Sequence, residues 1–208
     1  MSVDEATPWA EALREALGSR LVSVTVYGDR PASAPVRMCI ELDPCDYDTL
    51  RAAGDALSGP IARGRLLPYV VARGELARLG DVFPVRIVAM RSHHRTLLGD
   101  DPLVALTVPR ERLRTGVEQG LRNHLIRLRA LLLRGDDPAR SRPALLAVAE
   151  GLGEEALGLA TLGVTVPGDA PQRLLALPTS AGAPRELLHD VVAWLQRAVD
   201  TVDAMEDA

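Results

Sequence analysis

Two short β-branched runs constrain this chain more than any other feature. Leu21-Val22-Ser23-Val24-Thr25-Val26-Tyr27 and Val36-Arg37-Met38-Cys39-Ile40-Glu41-Leu42 flank a segment that opens on Gly28-Asp29 and contains Pro31 and Pro35. Stiff, branched side chains favour extended backbone, and glycine and proline punctuate it. The pattern predicts two neighbouring strands joined by a turn, around which the rest must be built. Alternation along the second strand puts Arg37, Cys39 and Glu41 on one face. Metal-dependent phosphoryl transfer would need paired carboxylates on such a face. This one offers a guanidinium, a thiol and a single carboxylate.

Helical spacing brackets the two strands. Thr7 and Pro8 read as the cap and first turn of a helix with Trp9, Leu13, Ala16 and Leu17 inward, stopped by Gly18. A second helix is expected from Asp46 to Ser58, capped by Asp46 or Asp48, with Leu50, Ala53 and Leu57 inward and Gly59-Pro60 as its end. Leu66 to Val71 reads as a strand, Glu75 to Leu79 as one helical turn and Val82 to Met90 as a further strand. After Gly99-Asp100-Asp101-Pro102 the period changes. Arg112 to Arg134 predicts a long helix with Leu113, Val117, Leu121, Leu125, Leu128 and Leu132 on one face, broken by Asp136-Asp137-Pro138. Helices over Pro143–Glu150 and Glu154–Leu162, a Gly/Pro-rich connection from Gly163 to Pro184, and a closing helix over Glu186–Met205 follow. Leu187, Leu188, Val191, Leu195, Val199 and Val202 would face inward on the last. The expected organisation is α+β: a mixed sheet with helices over residues 1–102, then an all-helical domain over residues 103–208.

All 24 basic residues are arginine. Without lysine the chain has no Walker-type phosphate loop, protein-kinase site or pyridoxal-phosphate Schiff base. A net charge of −4 argues against nucleic acid as the main partner. No apolar stretch approaches the ~18 residues of a membrane span, and the acidic N-terminus does not read as a secretory signal. Cys39 and Cys45 make no metal or redox spacing. A cytoplasmic protein without a membrane partner is expected.

The candidate site residues are Gly28, Asp29, Arg37, Glu41 and Arg86. Glycine after a strand lets phosphate approach the backbone, although it also serves any tight turn, and Asp29 would repel an anion. Arg37 and Arg86, each expected in mid-strand, could form an anion pocket, or lie on exposed faces paired with Glu41 or an aspartate. Glu41 with Asp43 is the remaining carboxylate pair, but Asp43-Pro44 reads as the end of the strand and Glu41 as a solvated strand end. His93 and His94 would point to opposite sides of an extended segment, and His124 and His189 lack a ligand spacing, so no metal centre is expected. The arginines around the long helix, with Glu118 and Arg122 at i,i+4, read as a solvated or cleft-lining face.

Several blocks carry a resemblance. They are Val26-Tyr27-Gly28, Leu42-Asp43-Pro44-Cys45-Asp46-Tyr47-Asp48-Thr49-Leu50, Asp81-Val82-Phe83-Pro84-Val85, His94-Arg95-Thr96-Leu97-Leu98-Gly99-Asp100-Asp101-Pro102-Leu103, and Glu118-Gln119-Gly120-Leu121-Arg122 with Leu125 and Leu128-Arg129. Over roughly residues 10 to 134 the chain resembles a bacterial nucleotidyltransferase-like family, whose members join a degenerate nucleotidyltransferase domain to a helical domain. The resemblance implies that the serine expected after the glycine is Asp29, that the paired strand acids are Pro35 and Arg37, and that the third acid falls near Arg86. It therefore implies a catalytically inactive binding or regulatory module that takes a nucleotide or phosphate anion and needs no cofactor. An active enzyme using Glu41 and Asp43 with one metal, and a purely structural protein, are the alternatives. Related proteins often pair through their helices. The two amphipathic helices accordingly suggest a homodimer.

Overall fold

The computed structural model describes residues 3–28, 35–133, 138–176 and 185–205. The protein is mixed α+β, and its chain forms two compact units, Met1–Val82 with Ala89–Thr107, and Phe83–Val88 with Val108–Ala208.

The first unit holds α1 (Val3–Leu17), β1 (Leu21–Tyr27), β2 (Val36–Leu42), α2 (Tyr47–Ala62), β3 (Leu66–Ala72), α3 (Leu76–Val82) and β4 (His94–Leu98). The sheet order is β3-β2-β1-β4. β1 runs antiparallel to both β2 and β4, whereas β2 and β3 are parallel, as a crossover through α2 requires. Val24, Val26, Met38, Ile40, Leu42 and Leu66 form a core with Ala6, Ala10, Leu13 and Leu17 of α1 and Ala53 and Leu57 of α2. Each large side chain fully buried there contributes about 1.5–3 kcal/mol. Arg20 joins the two helices, donating to the Leu17 and Ala16 carbonyls and to the Thr49 hydroxyl.

Several local expectations need correction here. α1 begins at Val3 and carries Pro8 inside it rather than at its first turn, where the ring removes the bond that an N–H would give to the Asp4 carbonyl. Its buried stripe is Ala6-Ala10-Leu13-Leu17, while Ala16 is exposed. Asp46 caps α2, its carboxylate accepting from the Thr49 amide at 2.8 Å. That cap turns Thr49 inward and leaves Leu50 exposed. Gly59-Pro60 does not end α2, which continues to Ala62. The run expected as a strand over Val82–Met90 is instead a helix, α4 (Pro84–Ser92). An apolar run of this length fits either state. Here Pro84 takes the first helical position, and the Ile87 amide already bonds the Phe83 carbonyl at 3.1 Å. The fourth strand is β4, whose short polar start hid it.

The second unit is helical beyond Phe83–Val88: α5 (Arg110–Leu133), α6 (Pro138–Thr161), α7 (Ala170–Leu175) and α8 (Arg185–Asp203). Leu113, Val117, Leu121, Leu125 and Leu128 face its core as expected, but Leu132 is 44% exposed. The core also takes Leu152 and Leu159 of α6, Leu174 of α7, and Leu187, Val191, Trp194, Leu195, Val199 and Val202 of α8. Arg122 bonds Glu118 at 3.0 Å and both carboxylate oxygens of Asp203 at 2.8 Å, joining α5 to α8.

The two helices expected over 143–162 are one continuous α6, and α7 lies inside the expected loop from Gly163. Of the expected break at Asp136-Asp137-Pro138, only Pro138, the first residue of α6, lies among the described residues. Gly151 does not end α6 because the helix needs it for close approach. A Cβ there would collide with the His124 ring, as one at Gly120 would with the Glu155 carboxylate and one at Gly158 with Val117. Along α5 the order is 117, 120, 124, and along α6 it is 158, 155, 151. The helices therefore run antiparallel, each seating side chains on the other's glycines.

Candidate functional site: the polar face of the sheet

The second face of the sheet differs in kind from the first. Ser23, Thr25 and Tyr27 of β1 stand opposite Glu41, Cys39 and Arg37 of β2, and Tyr27 and Thr25 stand opposite His94 and Thr96 of β4. Polar residues at every second position of the central strands produce this face by alternation alone. The β1 part is already present in the sequence as the alternation Ser23-x-Thr25-x-Tyr27. The Thr25 and Thr96 hydroxyls hydrogen-bond at 3.0 Å.

Glu41 is not a solvated strand end. It is 8% exposed, and both its oxygens are engaged: one accepts from the Ser23 hydroxyl at 3.2 Å, the other from the Gly74 amide at 2.9 Å. A buried carboxylate without donors would be costly; this one ties β2 to β1 and to the turn after β3. Asp43 lies past the end of β2, its amide bonded to the Arg20 carbonyl and its carboxylate 3.4 Å from Arg73. The two acids therefore do not share a strand face. Among the described residues no three His, Cys, Asp or Glu side chains converge where they could hold a metal ion.

Between Arg37 and Glu41 lies Cys39, whose thiol is pushed up to about 12 by burial and then by the Glu41 charge. It is a buried packing group, without thiolate character at neutral pH.

Gly28 has φ +88°, a conformation glycine adopts freely, and its amide donates to the His93 carbonyl at 2.7 Å. A Cβ on Gly28 would lie 3.8 Å from Cδ of Arg37, so these two candidates are neighbours. Glu41 is four residues further along the same strand face, roughly 13 Å away at about 3.3 Å per residue. Asp29 lies outside the described residues. Arg86 is not on a strand beside Arg37: it sits on α4 in the second unit, with Nε 3.0 Å from Glu154. The premise of two arginines on adjoining strands does not hold.

Next to this face, His94 hydrogen-bonds the Arg91 carbonyl through Nδ1 and the Asp101 carboxylate through Nε2, both at 2.9 Å. Asp101 also accepts from the Leu103 amide at 2.9 Å. Its carboxyl is pushed up by desolvation but held below its ordinary value overall by the Leu103 amide and the His94 ring. These contacts, with Gly99, account for the block from His94 to Leu103. At φ +75°, Gly99 lies where a Cβ would strike the Val22 carbonyl.

In comparisons with known proteins, no family model matches this chain, and no curated protein is significantly similar to it. None of the helices among the described residues is long and apolar enough to cross a membrane.

Proposed function

We propose that the protein is a catalytically inactive nucleotidyltransferase-like module that binds a nucleotide or phosphate anion without metal, at the Gly28–Arg37 end of the polar sheet face. The observation that carries this reading is the state of Glu41. The one carboxylate on that strand face is buried and accepts from Ser23 and Gly74, and no second acid stands beside it on the face to share a divalent ion, its alternate neighbours being Cys39 and Arg37. Support for the anion comes from the guanidinium of Arg37 beside the Gly28 turn, since a guanidinium presents forked donors matched to phosphate and keeps its charge. With Arg86 on α4 and bonded to Glu154, the reading rests on Arg37 and not on an arginine pair.

The test is thermal stability with inorganic phosphate and a panel of nucleoside triphosphates, each with Mg²⁺ and with EDTA, alongside an assay for transfer of radiolabel to any acceptor. Phosphate or nucleotide should raise the midpoint equally in both conditions, less so as salt rises. Arg37→Ala should abolish the effect and Glu41→Gln should preserve it. Absence of stabilisation by every anion would end the binding reading. Label transfer lost in Glu41→Gln would show an enzyme.

A further inference from the structure

The ring of His94 stands between two acceptors. The Arg91 carbonyl can only accept, and Asp101, kept ionised by the Leu103 amide and the ring itself, also only accepts. A neutral imidazole has one N–H. Both 2.9 Å hydrogen bonds can exist together only if the ring carries two protons and a positive charge. Neither nitrogen then has a lone pair, so this His–Asp pair is not a general base. It is a fastening.

What it fastens is the segment over residues 99–107. Asp101 is held to β4 by His94, Leu103 and Leu106 are buried, and the Thr107 carbonyl lies 3.0 Å from where a Cβ on Gly80 of α3 would be. All of these residues belong to the first unit. We propose that His94 and Asp101 form a proton-operated latch on this strap, closed when the imidazole is doubly protonated and released when it loses a proton. The proposal rests on hydrogen-bond donor count and holds whether or not the sheet binds an anion.

The groups around the ring are consistent with a local switch. From the strap come Asp101 and Asp100, and from β1 comes Tyr27, the register partner of His94, with Arg37 one strand beyond on the same face. Arg91, His93 and Arg95 lie on its own run of chain. Asp101 is the acid directly bonded to the ring. On deprotonation the ring keeps one N–H. If that proton stays toward Arg91, a lone pair meets the Asp101 carboxylate and the strap loses its anchor. If it stays toward Asp101, the lone pair meets the Arg91 carbonyl 2.9 Å away, the ring turns from that carbonyl, and its bond to the Asp101 carboxylate is displaced with it. Either way one of the two charge-assisted bonds is lost when the ring gives up its second proton.

Hydrogen exchange of the full chain from pH 5.5 to 8.5, corrected for the chemical exchange rate, reads the strap directly through the Leu103 amide. ¹⁵N imidazole NMR reads the ring. Two protonated nitrogens at the acid end are expected, with exchange of residues 99–107 quickening about tenfold or more as the second proton leaves. Asp101→Asn supplies the decisive variant. Its side-chain NH₂ can donate to a neutral ring whose Nδ1–H still serves Arg91, so the strap should stay protected across the whole range. Strap exchange independent of pH in the parent protein, or the same pH dependence in Asp101→Asn, would overturn the latch. So would a single-tautomer neutral ring at pH 5.5.

Discussion

The Glu155 carboxylate of α6 rests on the bare Cα of Gly120 in α5, 7% exposed and with its Oε2 lacking any hydrogen-bond partner. A glycine, a poor helix former, and a buried acid thus set how closely the two longest helices approach. Four residues away on each helix the arrangement is inverted, with the His124 ring of α5 seated on Gly151 of α6.

Gly120→Ala should destabilise the helical unit. On a solvated helix this change gains about 1 kcal/mol in propensity, but here the new methyl meets a carboxylate enclosed by the neighbouring helix. Overpacking of this sort costs about 1–3 kcal/mol. Urea denaturation of Gly120→Ala, Glu155→Ala and the double variant would measure the coupling. The double variant should be more stable than the sum of the single changes predicts. Strict additivity would mean that the two residues do not meet.

Stability should also depend on pH through this seam, with opposite slopes on its two sides. Burial, with the Glu154 charge adding to it, pushes the Glu155 carboxyl up to about 8. Between about 4.5 and 8 the unfolded chain releases this proton while the folded protein keeps it, so stability falls as pH rises through that window, by on the order of a few kcal/mol. Burial, and then the charge of Arg127, depress the His124 ring. Below its ordinary value near 6.5 the unfolded chain takes up a proton that the folded protein refuses, so this group costs stability as pH falls. Glu155→Gln should remove the loss on the alkaline side and raise the midpoint at pH 8. His124→Gln should flatten the acid side alone. A Glu155→Gln profile parallel to the parent between pH 5 and 8 would contradict the assignment.

Glu41→Gln and Glu41→Ala should behave differently. A glutamine can direct its oxygen to the Gly74 amide and its NH₂ to the Ser23 oxygen, because a hydroxyl accepts as readily as it donates. The alanine leaves a buried Gly74 N–H without a partner, at about 1–3 kcal/mol. Denaturation midpoints should therefore order as parent, then Gln close behind, then Ala well below. An equal loss in both variants would mean that the charge itself, rather than hydrogen bonding, holds β2 to the turn.

Much of this architecture was legible where a residue's neighbours in sequence are also its neighbours in space. β1 and β2 follow from their branched residues and the α5 stripe from its leucine spacing, while the sequence narrows the α2 cap to Asp46 or Asp48 and the Thr49 amide decides for Asp46. Readings failed where an element was short or its apolar residues suited two states. The run at Val82–Met90 alternates well enough for a strand, yet Pro84 and the environment of Val85 and Ile87 make it helical, taking Arg86 with it. β4 begins His94-Arg95-Thr96, which no local rule marks as a strand, and its pairing with β1 creates it.

The sequence by itself determined β1, β2 and the inward stripe of α5, and the absence of lysine chemistry, because propensity, alternation and residue identity act over a few positions. It also determined that the face of β2 carries Arg37, Cys39 and Glu41, since alternation along a strand is a local property. The tertiary structure alone decided what those groups do. Glu41 is a structural acceptor because Ser23 and Gly74 reach it from other parts of the chain, and His94 holds two acceptors because a helix end and a strap converge on one ring. Glu155 keeps its proton because α5 removes water from it. Hydrogen-bond partners and solvent exclusion depend on through-space contact between residues far apart in sequence, and no local pattern encodes them.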